Sequence, residues 1–104
     1  MNDSQHARFS KLDESPEAKF KLGKIVATRG ALDELSHEEM VWALSRHVRG
    51  DWGELDDEDM DENERALKEG SRLFSVYGSA RANRFYVITE WDHSVTTVLL
   101  PSEY

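Results

Sequence analysis

The chain has no cysteine among its 104 residues, and only two prolines. Without thiols it can form neither a disulfide frame nor a thiolate zinc site, and no Cys nucleophile is available. No apolar run approaches the ~20 residues that a membrane-spanning helix needs. The first ten residues, Met1 to Ser10, have no apolar core and do not read as a secretory signal. The expected location is therefore the cytoplasm. A Gly-rich phosphate loop, an H-E-x-x-H helix and a G-x-S-x-G elbow are all missing, which removes the common sequence signatures of nucleotide binding, zinc hydrolysis and serine hydrolysis. Base is also missing from one long stretch: between Asp51 and Glu64 there are nine acids and no Lys or Arg. Nine of the 21 acids lie there, which leaves 12 acids against 13 bases elsewhere, so the net charge of −8 is a local feature. A patch of that sign repels phosphate backbones and attracts basic proteins or cations. The remaining Lys and Arg are scattered, with only a small Arg81/Arg84 cluster, so direct nucleic-acid binding is not expected.

What is present reads as one α+β domain over 19–104, preceded by a flexible tail over 1–18. Lys19 to Thr28 alternates Lys with apolar residues and then turns continuously apolar, as in a strand with Lys along its edge. Gly30 to Leu35 is one helical turn. Ser36 and Glu39 form a capping box, after which Met40, Val41, Leu44 and Val48 recur at helical spacing until Gly50. Asp56 or Asp57 caps a second helix that runs to Glu69 and stops at Gly70. Three short runs rich in β-branched and aromatic residues then follow: Arg72–Tyr77, Arg84–Trp91 and Ser94–Leu100. The middle run is apolar on both alternations, which places it centrally. The expected fold is an antiparallel sheet of about four strands in β-α-α-β-β-β order, with two helices on one face.

Two polar constellations stand out. Arg46-His-Val-Arg-Gly-Asp-Trp-Gly53 surrounds a helix terminus. A catalytic reading makes His47 a proton-transfer group tuned by Asp51. A structural reading has His47 beside the apolar stripe bonding to a loop carbonyl, with Trp52 plugging the connector. The structural reading is favoured, because single histidines at helix ends mostly serve packing or the helix dipole. Thr89-Glu-Trp-Asp-His-Ser94 collects Glu90, Asp92 and His93 at a hairpin. This spacing fits an Asx-type turn better than any metal geometry, so no metal or cofactor is expected.

Several segments together are similar to one family. They are Gly23–Leu32, Arg46–Gly53, Glu62–Leu67, Arg72–Tyr77 and Ile88–Tyr104. Over Phe20–Tyr104 the chain resembles small proteins of bacterial plasmids and integrated mobile elements. Some of these are labelled plasmid-related proteins, and others carry a restriction–modification subunit name. Arg29 replaces a proline of the family pattern, and Trp91 and His93 replace a smaller residue and an arginine. The resemblance implies a mobile-element context and supplies no activity. The element order is also similar to that of RelE/ParE-like toxins.

Two functional expectations follow. The first is a non-catalytic protein-interaction module that contacts a basic partner through Trp52, Glu54, Asp56, Asp57, Glu58 and Asp59. The alternative is a small nucleic-acid-acting hydrolase using His47, Asp51, Tyr77, Arg84, Glu90 and Asp92, or a small-ligand or metal site at the same residues.

Overall fold

The computed structural model describes residues 11–79 and 81–104. Of the tail expected over 1–18, residues 1–10 lie outside the described residues. The remainder carries a 3-10 turn, Leu12–Glu14. Leu12 and Ala18 pack against the core, and the Asp13 carboxylate accepts the Leu22 N–H at 2.8 Å.

Phe20 and Leu22 then point inward, with 8% and 1% of their surface exposed, while Lys19 and Lys21 face solvent. The strand expected from Lys19 begins only at Lys24, because Gly23 takes a left-handed conformation (φ +67°). A Cβ there would sit 2.4 Å from the carbonyl oxygens of His93 and Ser94, so only glycine allows this close crossing. Strand β1 (Lys24–Ala27) leads to the short helix α1 (Arg29–Glu34), with Thr28 as its N-cap. Helix α2 (His37–Val48) opens with the full Ser36/Glu39 capping box. Helix α3 (Asp57–Glu69) opens with Asp56 accepting from the Asp59 N–H and closes on left-handed Gly70. Strands β2 (Leu73–Tyr77), β3 (Phe85–Thr89) and β4 (Val95–Leu99) complete the order.

The fold is α+β, but the sheet is mixed rather than antiparallel. Its order is β1-β4-β3-β2, and β1 runs parallel to β4 with Lys24 opposite Val95 and Ala27 opposite Val98. The β2–β3 and β3–β4 pairs are antiparallel. The reason is topological. Parallel neighbours need a long crossover, and the helices between β1 and the meander supply it, so β1 can join the far edge beside β4. As expected, β3 is central.

Alternation sorts the strands into two faces. Leu73, Ser75, Tyr77, Phe85, Val87, Thr89, Thr96 and Val98 face the helices, and all are buried. Ala43, Leu44 and Val48 of α2, with Ala66 of α3, join that core. On the other face Phe74, Tyr86 and Tyr104 form an aromatic cluster with centroids 4.7–6.1 Å apart. The 3-10 turn Pro101–Glu103 brings Tyr104 there. The turn is anchored by the Glu103 carboxylate, which accepts from the Thr28 hydroxyl and from the N–H groups of Gly30 (2.8 Å) and Leu100 (3.0 Å).

The outer edge of β2 is closed by a side chain. Asn63 of α3 donates to the Phe74 carbonyl at 2.7 Å and accepts the Phe74 N–H at 3.1 Å, as a neighbouring strand would. Two residues on, the connector does the same: the Glu54 N–H donates to Val76 C=O, and the Val76 N–H donates to Trp52 C=O. An open edge is a template for unwanted pairing, and this one is occupied. Asn63→Ala leaves two backbone groups of Phe74 without their partner. The expected loss is about 2 kcal/mol in urea unfolding with the slope m unchanged; a loss under ~0.5 kcal/mol would show that the edge does not depend on Asn63.

Candidate functional site

The helical spacing of Met40, Leu44 and His47 puts the three side chains on the sheet-facing side of α2. His47 is fully buried. Its Nδ1 lies 2.6 Å from Ser75 Oγ and its Nε2 lies 2.9 Å from Thr89 Oγ1. The chain of contacts continues from Thr89 Oγ1 to Thr96 Oγ1 (2.7 Å), and Thr96 donates to the Leu22 carbonyl (2.6 Å). A hydroxyl has one proton, so the directions along the threonines follow. Thr96 gives its proton to Leu22, so Thr89 must donate to Thr96, and His47 Nε2–H donates to Thr89. Burial keeps the imidazole neutral, so Nδ1 carries no proton and accepts from Ser75, which fixes one tautomer. The rings of Phe20 and Trp52 pack edge-on against it, at 5.2 and 5.7 Å. Burial lowers its pKa from 6.5 to about 3.

The rest of the Arg46–Gly53 motif forms a clasp at the end of α2. Arg46 makes a two-point pair with Asp51, Nε to Oδ2 at 2.7 Å and Nη2 to Oδ1 at 2.9 Å. Its guanidinium lies 4.7 Å from the Trp42 ring centre and 4.9 Å from that of Tyr77. The hydrogen bond from Arg46 holds the Asp51 carboxyl below its ordinary pKa, and the same bond raises that of Arg46. Tyr77 OH donates to the Asp51 carbonyl at 2.5 Å, and burial pushes the phenol pKa up. Gly50 and Gly53 are left-handed (φ +81° and +78°). At Gly53 a Cβ would fall 1.9 Å from the Val76 carbonyl oxygen, so no larger residue fits this bend. Trp52, 3% exposed, lies inside the bend, stacks on Phe20 and donates Nε1–H to Glu64 at 2.8 Å.

These positions correct several expectations. Asp51 neutralises Arg46 and does not tune His47, whose shift comes from burial. Trp52 is a core plug and contributes no exposed ring to a partner surface. Asp56 caps α3, as expected, while staying exposed. Of the residues expected for a hydrolase, Tyr77 and Asp51 meet in the clasp, and the others are engaged elsewhere. Arg84 stands 4.0 Å from Glu54 and Glu90 stands 3.5 Å from Arg72, both in exposed pairs. Asp92 accepts from the Ser94 hydroxyl (2.7 Å) and N–H (3.1 Å), the Asx turn expected there. That hydroxyl bond, more than the amide, lowers the Asp92 pKa. The hairpin does approach His47, through Thr89 directly and through His93, which packs on Phe20 with centroids 5.4 Å apart. The acids there do not follow, since Glu90 lies on the opposite face of the strand from Thr89.

Sequence reasoning did not single out Ser75, Thr89, Thr96 or Asn63. The only signal was polarity at inward positions of apolar strands, which identifies no partner. Glu54, Asp57, Glu58 and Asp59 remain exposed as expected, joined by Asp61 and Glu62. No family model matches the chain, and neither the curated proteins nor the solved structures contain a match.

Unfolding frees His47 to bind a proton below about pH 6.5 that the native state refuses until about pH 3. Its contribution to stability is therefore complete above pH 6.5 and declines as pH falls through that window, by up to about 1.4 kcal/mol per unit. His47→Gln removes the titration while keeping an amide that can bond Thr89. The expected result is a loss of about 1–3 kcal/mol at pH 7 and a shallower decline between pH 6 and 4, read by urea unfolding. A decline as steep as wild type would place the titration elsewhere.

Proposed function

We propose that this chain is a non-catalytic protein-interaction module of a bacterial mobile element, contacting a basic partner protein through the acidic face of α3. The observation that carries this reading is the fate of the carboxylates. Asp57, Glu58, Asp59 and Asp61 are all exposed, and no ion pair among the described residues takes up their charge. By contrast, the groups best suited to proton transfer, His47 and Tyr77, are spent on internal bonds. Exposed like charges on one helix attract a basic surface over roughly a Debye length and repel phosphate backbones. The mobile-element context rests on the family resemblance, and a cytoplasmic location is the corresponding expectation. The hydrolase alternative has less support, because its acids and cations sit in separate ion pairs and turns.

The test is a charge-reversed variant that spares the cap: Glu58→Lys, Asp59→Lys and Asp61→Lys, with Asp56 intact. Tagged wild type should retain a basic protein from bacterial lysate at low salt and release it as salt rises. The variant should retain none and keep its thermal midpoint within about 5 °C. Equal retention by both proteins, or recovery of nucleic acid in place of a protein, would contradict the proposal.

A further inference from the structure

Where α3 borders β2 and Tyr104, a groove of about 400 Å³ opens on the surface. Leu55, Ala66 and Phe74 line it with apolar surface, Asp59 and Glu69 contribute carboxylates in no ion pair among the described residues, and Tyr104 contributes an exposed ring. Its two arginines are engaged: Arg65 pairs with Glu62, and Arg72 pairs with Glu90 and donates to Tyr104 OH at 3.0 Å. Two features are not accounted for by the stability of the fold. Glu69 is the last residue of α3, at the end where the helix dipole disfavours an acid. Tyr104 is 69% exposed and yet held in place, edge-on to Phe74 (6.1 Å, 77°) and Tyr86 (5.9 Å, 88°) and hydrogen-bonded to Arg72. An ordered, exposed aromatic ring in the same groove as two carboxylates offers a receptor for a cationic side chain.

We propose that this groove binds an extended, arginine-bearing segment of the partner, with one guanidinium against Tyr104 and Glu69 and a second against Asp59. The proposal rests on the interaction reading and gives it a location and a partner chemistry. The spacing follows from geometry. Asp59 and Glu69 are ten residues apart on one helix, about 15 Å at 1.5 Å per residue. An extended chain covers that distance in roughly four to five residues. The recognised segment therefore carries two basic residues about five positions apart.

The probe is a fluorescein-labelled Gly/Ser decapeptide with two arginines five positions apart, read by anisotropy at low salt against the intact protein. A peptide with two glutamates in their place is the control. Wild type should bind the arginine peptide and not the glutamate one. Tyr104→Ala and Glu69→Gln should each weaken binding about fivefold, while Tyr104→Phe, which keeps the ring, should stay within about twofold of wild type. Glu38→Gln removes the same charge as Glu69→Gln from exposed surface on α2, outside both the groove and the acidic face of α3, and should change binding less than about twofold. If Glu38→Gln costs as much as Glu69→Gln, or Tyr104→Ala costs nothing, the groove is overturned and only attraction to the overall negative charge remains. If wild type binds no arginine peptide, the groove is overturned, while the acidic-face reading stands or falls on the charge-reversed variant.

Discussion

The fold is organised around a hydrogen-bonded chain that crosses its centre. His47 on α2 reaches Ser75 on β2 and Thr89 on β3, Thr89 reaches Thr96 on β4, and Thr96 ends the chain on the Leu22 carbonyl just before β1. One line of polar atoms thus ties the main helix to every strand or its approach. Such a chain is stable only if each member is satisfied, since an orphaned buried donor or acceptor costs about 1–3 kcal/mol. Here the count closes, with one proton for each contact, for a buried neutral imidazole protonated on Nε2. Those bonds hold α2 against β2 and β3 and join Thr89 to Thr96, its partner across the β3–β4 pair.

The same economy governs the residues around it. A histidine, an aspartate, a tyrosine and two arginines clustered at a helix end resemble a reactive centre on paper. In the molecule Arg46 and Asp51 cancel each other, Tyr77 bonds a carbonyl, and Trp52 fills the space beneath. The clasp holds the connector against β2, where its main chain pairs with Val76 next to the Asn63 side chain of α3 that pairs with Phe74. Polar residues are largely spent inside, and unspent charge is left on α3.

Local signals were the legible ones. The Ser36/Glu39 box, the Asp56 cap and the Gly70 stop each act over three or four residues, and each lies where the sequence places it. The three meander strands and the central position of the middle one were readable from their composition. The parallel placement of β1 was not, because it depends on which far edge the crossover reaches. The partners of His47 lie 28 and 42 residues away, and nothing in a Ser or Thr inside an apolar run says which helix it will face. Asn63 is a similar case: its role exists only once α3 lies along β2. On the surface, the excess of acid was plain from the sequence, but the groove that gives part of it a shape depends on Tyr104 folding back across Phe74.

The hydrogen-bonded chain through His47 has one direct observable, the protonation of the two ring nitrogens. A long-range nitrogen–proton correlation spectrum of the His47 side chain, recorded at pH 7 and pH 5, reads it directly. A proton on Nε2 and a bare Nδ1 are expected at both values, with no exchange between tautomers. A ring protonated on both nitrogens at pH 5, or one averaging between tautomers at pH 7, would contradict that assignment.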